Sequence, residues 1–234
     1  MTGIVIVDSQ SKSISGSMSG NPTLRITEIF LSIQGEAVSS GYPTVFVRLT
    51  GCPLRCHYCD SAYAFEGGKQ IILEDLVQQV LTFGVSRVCI TGGEPLAQPN
   101  CKSLLSLLCD QGLNVSLETS GALPIKGIDD RVSIVMDLKT PMSGEVNRNN
   151  YDNINYLRPR DQLKFVICDR QDYQWACFKL KEYSLANKVG DIWFSPSYDQ
   201  IEPAELVQWI LDDRLPVRFQ LQLHKAIWGD VPGR

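Results

Sequence analysis

The chain has 234 residues, of which 44% are hydrophobic and 21% charged, a composition typical of a globular protein rather than a disordered, collagen-like or coiled-coil chain. Its net charge of −4 offers no basic excess for a phosphate backbone, so nucleic-acid binding is not expected. No run approaches the roughly 18 apolar residues of a membrane span, and the opening residues lack the basic-then-apolar order of a secretory signal.

Residues 8–22 are rich in Ser and Gly and contain few apolar residues. This composition predicts a flexible leader over residues 1–22. The remaining residues, 23–234, show no second linker and no internal repeat, so we expect them to form a single domain.

After the leader, short β-rich runs alternate with helical patterns. The β-rich runs predict strands at residues 28–34, 44–49, 87–91, 114–118, 132–139, 162–168, 191–194 and 217–223. Apolar residues at helical spacing predict helices at residues 74–83, 101–109, 173–186 and 204–213.

This alternation of strands and helices in one domain indicates an α/β fold with a mostly parallel sheet, in which about six of the strands are parallel. Residues 114–168 offer few convincing helices, so we expect a partial, irregular barrel. In such architectures ligands bind beyond the carboxyl ends of the strands, and the residues at those ends are the candidates for a site.

Three of the eight cysteines, Cys52, Cys56 and Cys59, form a C-x3-C-x2-C segment directly after a predicted strand. In a reducing cytoplasm, which we expect here, such thiols are more often ligands than disulfide partners. A structural zinc ion would need a fourth ligand, and His57 lies between two of the cysteines, poorly placed to reach the same ion. An iron–sulfur cluster held by three thiolates would leave one iron open to a ligand. A zinc knuckle and a chance grouping of core cysteines remain alternatives, and the other five cysteines are expected in the core.

A second segment stands at the end of the predicted strand 87–91, where the sequence is Gly92-Gly93-Glu94-Pro95. Two glycines at a strand end allow a ligand to approach the backbone closely, and the adjacent carboxylate is able to accept hydrogen bonds from an ammonium group. The alternative interpretation is a simple turn.

The cysteine segment, with Tyr58 before its third cysteine, and the Gly-Gly-Glu segment together resemble the radical S-adenosylmethionine superfamily. That resemblance implies a full or partial (β/α)6 barrel. It implies a [4Fe–4S] cluster on Cys52, Cys56 and Cys59, with S-adenosylmethionine on the open iron and radical chemistry after one-electron reduction.

Further segments narrow the resemblance: Ser-Ile-Gln-Gly-Glu at 32–36, Phe-Val-Arg at 46–48, Cys-Asp-Ser at 59–61 and Gln-Leu-His-Lys at 222–225. From about residue 25 onward the chain resembles the 7-carboxy-7-deazaguanine synthase family. The implied reaction converts 6-carboxy-5,6,7,8-tetrahydropterin to 7-carboxy-7-deazaguanine with loss of ammonia, in queuosine and 7-deazapurine biosynthesis. The implied partners are an external one-electron reductant of the flavodoxin or ferredoxin type and a second copy of the chain in a homodimer.

The resemblance also assigns residues. It places substrate contacts at Ile33, Gln34, Gly35, Arg48 and Thr91, with the guanidinium of Arg48 suited to the substrate carboxylate. It places S-adenosylmethionine contacts at Tyr58, Cys59, Asp60, Gly93, Asp137, Leu138, Lys139, Ser195, Pro196, Ser197 and Tyr198. Ser61 stands where the family has a Mg²⁺ ligand, usually threonine, and substrate oxygens and water would complete that shell. No residue is expected to act as a conventional acid or base.

Other interpretations stay open. Arg48 could form a surface salt bridge with Glu36, and Asp137 could pair with Lys139 on the same strand. Residues 118–121 could be either a site wall or a turn, and residues 224–225 could protect the edge of a terminal strand. Two rival functions are a glycyl-radical-enzyme activase of the same superfamily and a non-catalytic zinc- or cluster-binding module.

Overall fold

The computed structural model describes residues 21–229 and 231, so the predicted leader lies outside the described residues except for its last two positions. The described residues form nine strands: β1 Thr23–Ile33, β2 Pro43–Leu49, β3 Lys69–Ile72, β4 Arg87–Gly92, β5 Asn114–Thr119, β6 Ser133–Asp137, β7 Gln162–Ile167, β8 Asp191–Pro196 and β9 Arg218–Phe219. The same part of the chain contains five α-helices, which are α1 Leu73–Thr82, α2 Cys101–Asp110, α3 Arg170–Glu182, α4 Pro203–Asp212 and α5 Leu223–Trp228.

All nine strands belong to one sheet with the order β3-β1-β2-β4-β5-β6-β7-β8-β9. From β2 to β9 the neighbouring strands are parallel, whereas β1 pairs antiparallel with both β2 and β3. The edge strands β3 and β9 are not paired with each other, so the sheet stays open. This confirms the predicted α/β class and the mostly parallel, partial barrel; parallel pairing joins seven of the described strands, where about six were expected.

The two faces of the sheet differ in chemistry because successive side chains on a strand point to opposite sides. In β2, Val45, Val47 and Leu49 pack into the main hydrophobic core together with the apolar sides of α1 to α4. Phe46 and Arg48 point to the opposite face, where they line a cavity. Right-handed crossovers between strands that follow one another across the sheet put their helices on one face, which leaves the other face free for a site.

The predicted irregularity is also present. Residues 120–132, between β5 and β6, contain no helix, and the connection from β6 to β7 contains only short 3₁₀ turns. These connections pack Ile125, Ile128 and Ile154 into the core without forming an α-helix.

Several boundaries differ from the prediction: α3, for example, spans Arg170–Glu182 rather than residues 173–186. The two differences that affect the site lie at the first and last strands. β1 begins at Thr23 rather than at residue 28, because its first residues pair with β3. The strand β3 was not predicted, because its first two residues, Lys69 and Gln70, are polar. The predicted strand at 217–223 is wrong beyond Phe219: the chain leaves the sheet and enters α5. The amide of Leu223 bonds the carbonyl of Gly35, so residues 224–225 lie on a helix and do not protect a strand edge.

Among the described residues, none of the helices is both long and apolar enough to cross a membrane.

Candidate active site

A cavity of about 470 Å³ lies on the sheet face opposite the helices. It brings together nearly all the residues predicted for the site, namely Ile33, Gln34, Arg48, Cys52, Cys56, Tyr58, Cys59, Asp60, Ser61, Thr91, Gly93, Asp137, Lys139, Ser195, Pro196, Ser197 and Tyr198. These residues come from strand ends and connections distributed along the whole domain. The tertiary structure thus assembles one site from segments that are far apart in sequence.

Two predicted site residues, Gly35 and Leu138, do not line this cavity. Leu138 is buried in the hydrophobic core. A Cβ atom on Gly35 would lie 2.1 Å from Nδ1 of His224, so this glycine allows α5 to pack against the loop after β1. His224 itself lines the cavity, and Gly35 therefore acts on the site through α5.

The cysteine loop is held by the segment that follows β6. The backbone amide of His57 donates to the carbonyl of Ser143 at 3.0 Å, and that of Arg55 donates to Oε1 of Glu145 at 2.6 Å. Gly144, with a φ of 76°, leaves no room for a Cβ beside the His57 ring. The loop is thus fixed on a neighbouring segment.

Cys52, Cys56 and Cys59 are free, partly exposed thiols on this loop. Burial raises the pKa of Cys52 and brings that of Cys56 to about 11, so a positive centre is needed to hold these groups as thiolates. Within the described part of the chain, no three His, Cys, Asp or Glu side chains are arranged around a single metal ion. A four-iron cluster takes each thiolate on a different iron, which suits three thiols spread along one cavity wall.

The Gly-Gly turn packs directly against the cysteine loop. A Cβ on Gly92, whose φ is 150°, would lie 2.3 Å from the carbonyl oxygen of Leu49, and one on Gly93 would lie 2.3 Å from that of Gly51. The Glu94 amide donates to the same Gly51 carbonyl at 2.8 Å. The two glycines are therefore required by close packing of protein backbone, in addition to any access they give to a ligand.

The Glu94 carboxylate does not support the predicted contact with a ligand ammonium. The side chain is fully buried and does not line the cavity. It accepts hydrogen bonds from the Leu96 amide, the Thr119 hydroxyl, and the amide and hydroxyl of Ser120. These protein donors fill its acceptor sites, and its role is to fasten the turn after β4 to the end of β5.

Five polar side chains form a row on the cavity face, one on each of the neighbouring strands β2, β4, β5, β6 and β7. This polar row consists of Arg48, Thr91, Glu118, Asp137 and Lys164. Because they stand on adjacent strands, each is within reach of a neighbour, and together they form the floor of the site.

At the β2 end of the polar row, Arg48 Nε donates to Glu28 Oε1 at 2.7 Å. The alternative of a surface salt bridge with Glu36 is wrong, because Arg48 is largely buried and its carboxylate partner is Glu28. The guanidinium carbon lies 5.9 Å from the ring centroid of Phe30 and 5.7 Å from that of Tyr63.

In the middle of the row, the Glu118 carboxylate accepts hydrogen bonds from the Thr91 hydroxyl at 3.0 Å and from Gln34 Nε2 at 3.2 Å. Residues 118–120 all line the cavity, so this segment is a site wall rather than a simple turn. Gln34 reaches Glu118 from the loop after β1, which therefore crosses the open face of the sheet.

The far end of the row is a buried charge network. Lys139 Nζ lies 2.6 Å from Asp137, as the pairing interpretation predicted, and Lys164 Nζ lies 2.7 Å from Glu36 and 3.4 Å from Asp137. Burial alone would raise the pKa of Asp137 and of Glu36, but the lysine ammonium groups outweigh it and hold both below their ordinary values. Lys164 was not predicted as a site residue, because it is a single lysine in an apolar strand and belongs to no motif.

The Tyr58 hydroxyl is buried and has no hydrogen-bond partner in the described structure. Its ring lies on the cavity wall, 5.9 Å from Lys139 Nζ. Since buried polar groups are nearly always hydrogen-bonded, a group bound in the cavity would supply the missing partner. The thiols, the glycine turn and this hydroxyl together fit a cluster with a polar organic ligand beside it.

The C-terminal segment completes the wall with Gln222, His224 and Lys225. Gln222 Nε2 donates to Glu36 at 2.9 Å, and Lys225 Nζ lies 3.4 Å from the Asp60 carboxylate. The lysine contributes to the lowered pKa of Asp60, about 2, where burial acts in the opposite direction. These contacts connect the end of the chain to both the loop after β1 and the cysteine loop.

Known proteins similar to this chain belong to one superfamily of enzymes. Residues 46–143 match the Radical SAM superfamily. A 7-carboxy-7-deazaguanine synthase from Chlorobaculum tepidum is 44% identical over 91% of this chain and 97% of that relative. The chain belongs to the 7-carboxy-7-deazaguanine synthase family. Another synthase of the family, from Koribacter versatilis, is 39% identical over 88% of this chain and 97% of its own.

The solved structures agree with this family at the level of the fold. QueE from Escherichia coli superposes with a TM-score of 0.71 at 23% identity, over 86% of this chain and 95% of that one. Streptococcus suis SuiB bound to S-adenosylmethionine gives a TM-score of 0.53 at 17% identity, over 76% of this chain and 47% of its own. Both likenesses show the radical SAM fold.

Proposed function

We propose that this chain is a radical S-adenosylmethionine lyase that converts 6-carboxy-5,6,7,8-tetrahydropterin to 7-carboxy-7-deazaguanine with loss of ammonia, in queuosine and 7-deazapurine biosynthesis. The observation that carries the proposal is a single cavity with the three cysteines on one wall and the polar row on its floor. A cluster-binding module without catalysis would need the three cysteines but not the polar row. Membership of the synthase family supports the same reaction.

The cofactors are a [4Fe–4S] cluster and S-adenosylmethionine, which when bound supply one-electron chemistry and a hydrogen-abstracting radical. Cys52, Cys56 and Cys59 would ligate the cluster from the fixed loop. The S-adenosylmethionine site would be formed by the cavity residues Tyr58, Asp60, Gly93, Asp137, Lys139, Ser195, Pro196, Ser197 and Tyr198, with Leu138 holding its strand end in the core. The unpartnered Tyr58 hydroxyl supports a polar ligand at that position.

The substrate would lie over the β2 end of the polar row. Arg48 would bind its carboxylate, since a guanidinium offers two parallel N–H donors to such a group. Glu118 would accept hydrogen bonds from the N–H groups of the pterin, and Gln34 and Thr91, which already bond Glu118, would fix its carboxylate for that purpose. Ile33 would add an apolar contact at the cavity wall.

We assign Mg²⁺ to Ser61, next to the proposed carboxylate subsite. The Ser61 hydroxyl donates to Asp60 at 2.9 Å and lies 3.5 Å from Arg48 Nη1. Its oxygen keeps a lone pair for a hard cation, which prefers oxygen ligands and retains water. Substrate oxygens and water would complete the shell, and no residue needs to act as a conventional acid or base.

We further propose an external flavodoxin- or ferredoxin-type reductant, a homodimer and a cytoplasmic location. The reductant follows from the cofactor chemistry, because a radical enzyme of this class needs one electron per activation. The dimer rests on family resemblance, and sedimentation of the reconstituted protein measures it directly. Residues 1–22 are proposed as a leader separate from the single domain at residues 23–234.

The deciding experiment uses anaerobically reconstituted protein with reductant, S-adenosylmethionine, Mg²⁺ and 6-carboxytetrahydropterin, with products followed by chromatography and mass. We expect 7-carboxy-7-deazaguanine from the parent and from Cys177→Ala, a partly exposed thiol outside the cavity, and none from Cys56→Ala. Formation of 5′-deoxyadenosine without the deazapurine would keep the radical class but contradict this substrate, as for an activase. Absence of both from protein with a full complement of iron and sulfide would contradict the proposal.

A further inference from the structure

The pairing of β1 with β2 contains a bulge beside Arg48. Ile26 lies opposite Leu49, but the next paired residue, Glu28, lies opposite Arg48, so the register shifts between Ile26 and Glu28. Uninterrupted pairing would have placed Thr27 opposite Arg48 and turned Glu28 away. Bulges next to functional sites commonly redirect one side chain in this way.

The redirected side chain has a specific partner. Glu28 Oε1 accepts a hydrogen bond from Arg48 Nε at 2.7 Å and another from the Tyr63 hydroxyl at 2.8 Å. The Glu28 and Arg48 side chains are only 18% and 14% exposed, so solvent screens this pair less than a surface pair. Tyr63 comes from the turn that follows the cysteine loop, and the contact therefore joins that loop to β1.

The pair uses one edge of the guanidinium and leaves the other available. An arginine has five N–H donors; Glu28 takes Nε, and Nη1 has the Ser61 hydroxyl at 3.5 Å. Within the described structure, Nη2 has no hydrogen-bonded acceptor from the protein. Arg48 lines the cavity, whereas Glu28 does not, so Glu28 reaches a ligand only through Arg48.

We propose that Glu28 is a positioning residue that fixes Arg48 so that its terminal nitrogens face a carboxylate ligand, with the Tyr63 hydroxyl holding Glu28 in turn. This inference rests on the proposed function, which makes Arg48 the residue that binds the substrate carboxylate. The bulge in β1 would then serve to place a carboxylate opposite Arg48.

Charge attraction and side-chain orientation predict opposite effects on anion affinity when the Glu28 charge is removed. Glu28 cancels part of the positive charge of Arg48, so removing its charge would tighten the binding of an anion if attraction alone mattered. If orientation dominates, removing the charge loosens the guanidinium and weakens binding. Since such an interaction is made with bound substrate throughout the reaction, the loss would fall on KM rather than kcat.

The experiment compares the reconstituted parent enzyme with Glu28→Gln, Tyr63→Phe and Arg48→Lys. Without reductant, calorimetry measures the Kd of 6-carboxytetrahydropterin and of tetrahydropterin without the carboxylate; with reductant, turnover gives KM and kcat. For Glu28→Gln we expect Kd and KM of the carboxylated ligand to rise about tenfold, the size of one charge-assisted hydrogen bond, with kcat and the Kd of the uncarboxylated ligand nearly unchanged. Tyr63→Phe should raise the same Kd by about threefold.

Matched controls are Glu182→Gln, which removes an ion-paired glutamate from α3, and Tyr156→Phe, which alters a tyrosine as exposed as Tyr63 but outside the cavity. Neither should change either Kd. If Glu28→Gln fails to fold, Tyr63→Phe decides, and an unchanged Kd for the carboxylated ligand then overturns the inference.

The two proposals fail in different ways. If Arg48→Lys weakens carboxylate binding but Glu28→Gln leaves it unchanged or tightens it, the positioning role is overturned and the proposed function stands. An equal loss for both ligands would likewise overturn it, because that pattern is a general distortion of the site. If Arg48→Lys itself leaves the carboxylated ligand unaffected, the substrate assignment is wrong and the positioning role falls with it.

Discussion

At the residue scale, Glu94 shows how a motif can mark a site without contributing its own side chain. Its neighbours Gly92 and Gly93 form the wall of the cavity, but its carboxylate points into the protein and fastens β4 to β5. The motif thus lies at the cavity, as expected for a turn that faces a ligand. The direction of one side chain depended on donors at residues 119 and 120, which no local pattern around Glu94 contains.

We expect Glu94→Gln to destabilise the fold. The carboxylate is surrounded by donors alone, and a glutamine amide would place two N–H donors among them. Leaving buried donors unsatisfied costs about 1–3 kcal/mol, more where a charged partner is lost. Denaturant unfolding should show a loss of about 2–4 kcal/mol, while Glu66→Gln, at an exposed glutamate, should change stability by less than about 0.5 kcal/mol. Unchanged stability in Glu94→Gln would contradict the assigned role.

At the scale of elements, the cysteine loop owes its shape to segments on either side of it. The Gly-Gly turn after β4 packs beneath it, and residues 143–145 bond its backbone. That second segment is itself held by the fully buried Asp172 of α3, which accepts from the Thr140 hydroxyl and the Met142 amide. The loop is therefore preformed by packing that reaches back to a helix.

Gly93→Ala should impair cluster binding more than it impairs folding. The new methyl group would meet the carbonyl oxygen of Gly51 at 2.3 Å and the Cβ of Cys52 at 2.8 Å, so the cysteine loop must move. We expect a lower iron and sulfide content after reconstitution, with a stability loss of about 1–3 kcal/mol.

The control for this experiment is Gly112→Ala, at the end of α2, where φ is 75° and a Cβ would meet nothing within 4 Å. It should cost about 1 kcal/mol through backbone strain and leave iron content at the parent level. Equal iron content in both variants would contradict a role for Gly93 in shaping the loop.

At the scale of the whole molecule, the open side of the sheet is bridged by charge. Glu36, on the loop after β1, bonds Lys164 of β7 and the amides of Gln220 and Gln222 near the C-terminus. Lys164 continues to Asp137, which holds Lys139. The network connects the proposed substrate side of the cavity to the proposed cofactor side, and it joins the first strand of the domain to the last segments.

This network predicts a loss of stability in acid. The carboxyl groups of Asp137 and Glu36 have pKa values below those of the unfolded chain, so the unfolded state binds more protons as the pH falls. Their contribution is fully present above about pH 5 and is lost progressively as the pH falls from about 4 through the folded pKa values. Urea unfolding between pH 3 and 8 measures the effect.

In the same experiment Asp137→Asn should be less stable than the parent at pH 7, by about 3–5 kcal/mol, because it leaves buried ammonium groups unpaired. Its deficit should shrink as the pH approaches 3. Asp130→Asn, at a carboxylate with 96% side-chain exposure that pairs with Arg158, should differ by less than about 1 kcal/mol throughout. A deficit of Asp137→Asn that is constant with pH would contradict the network.

The sequence by itself determined the class of fold, the cysteine loop, the glycine turn and the order of most elements, because these depend on local patterning. Period-two alternation of apolar residues specifies strands, and a set of cysteines at a defined spacing is recognised from the local sequence alone. The resemblance added site residues at several strand ends, and the structure places most of them around one cavity.

Only the tertiary structure decided which polar groups face the cavity and which face the protein. Lys164 is one lysine in an apolar strand, Glu28 depends on a bulge that a single strand does not reveal, and the last predicted strand became α5 because the chain leaves the sheet to bond the loop after β1. In each case the outcome depends on a partner more than fifteen residues away. Such long-range pairings determine side-chain direction through packing and charge, and a local sequence pattern cannot predict them because it does not include the distant partner.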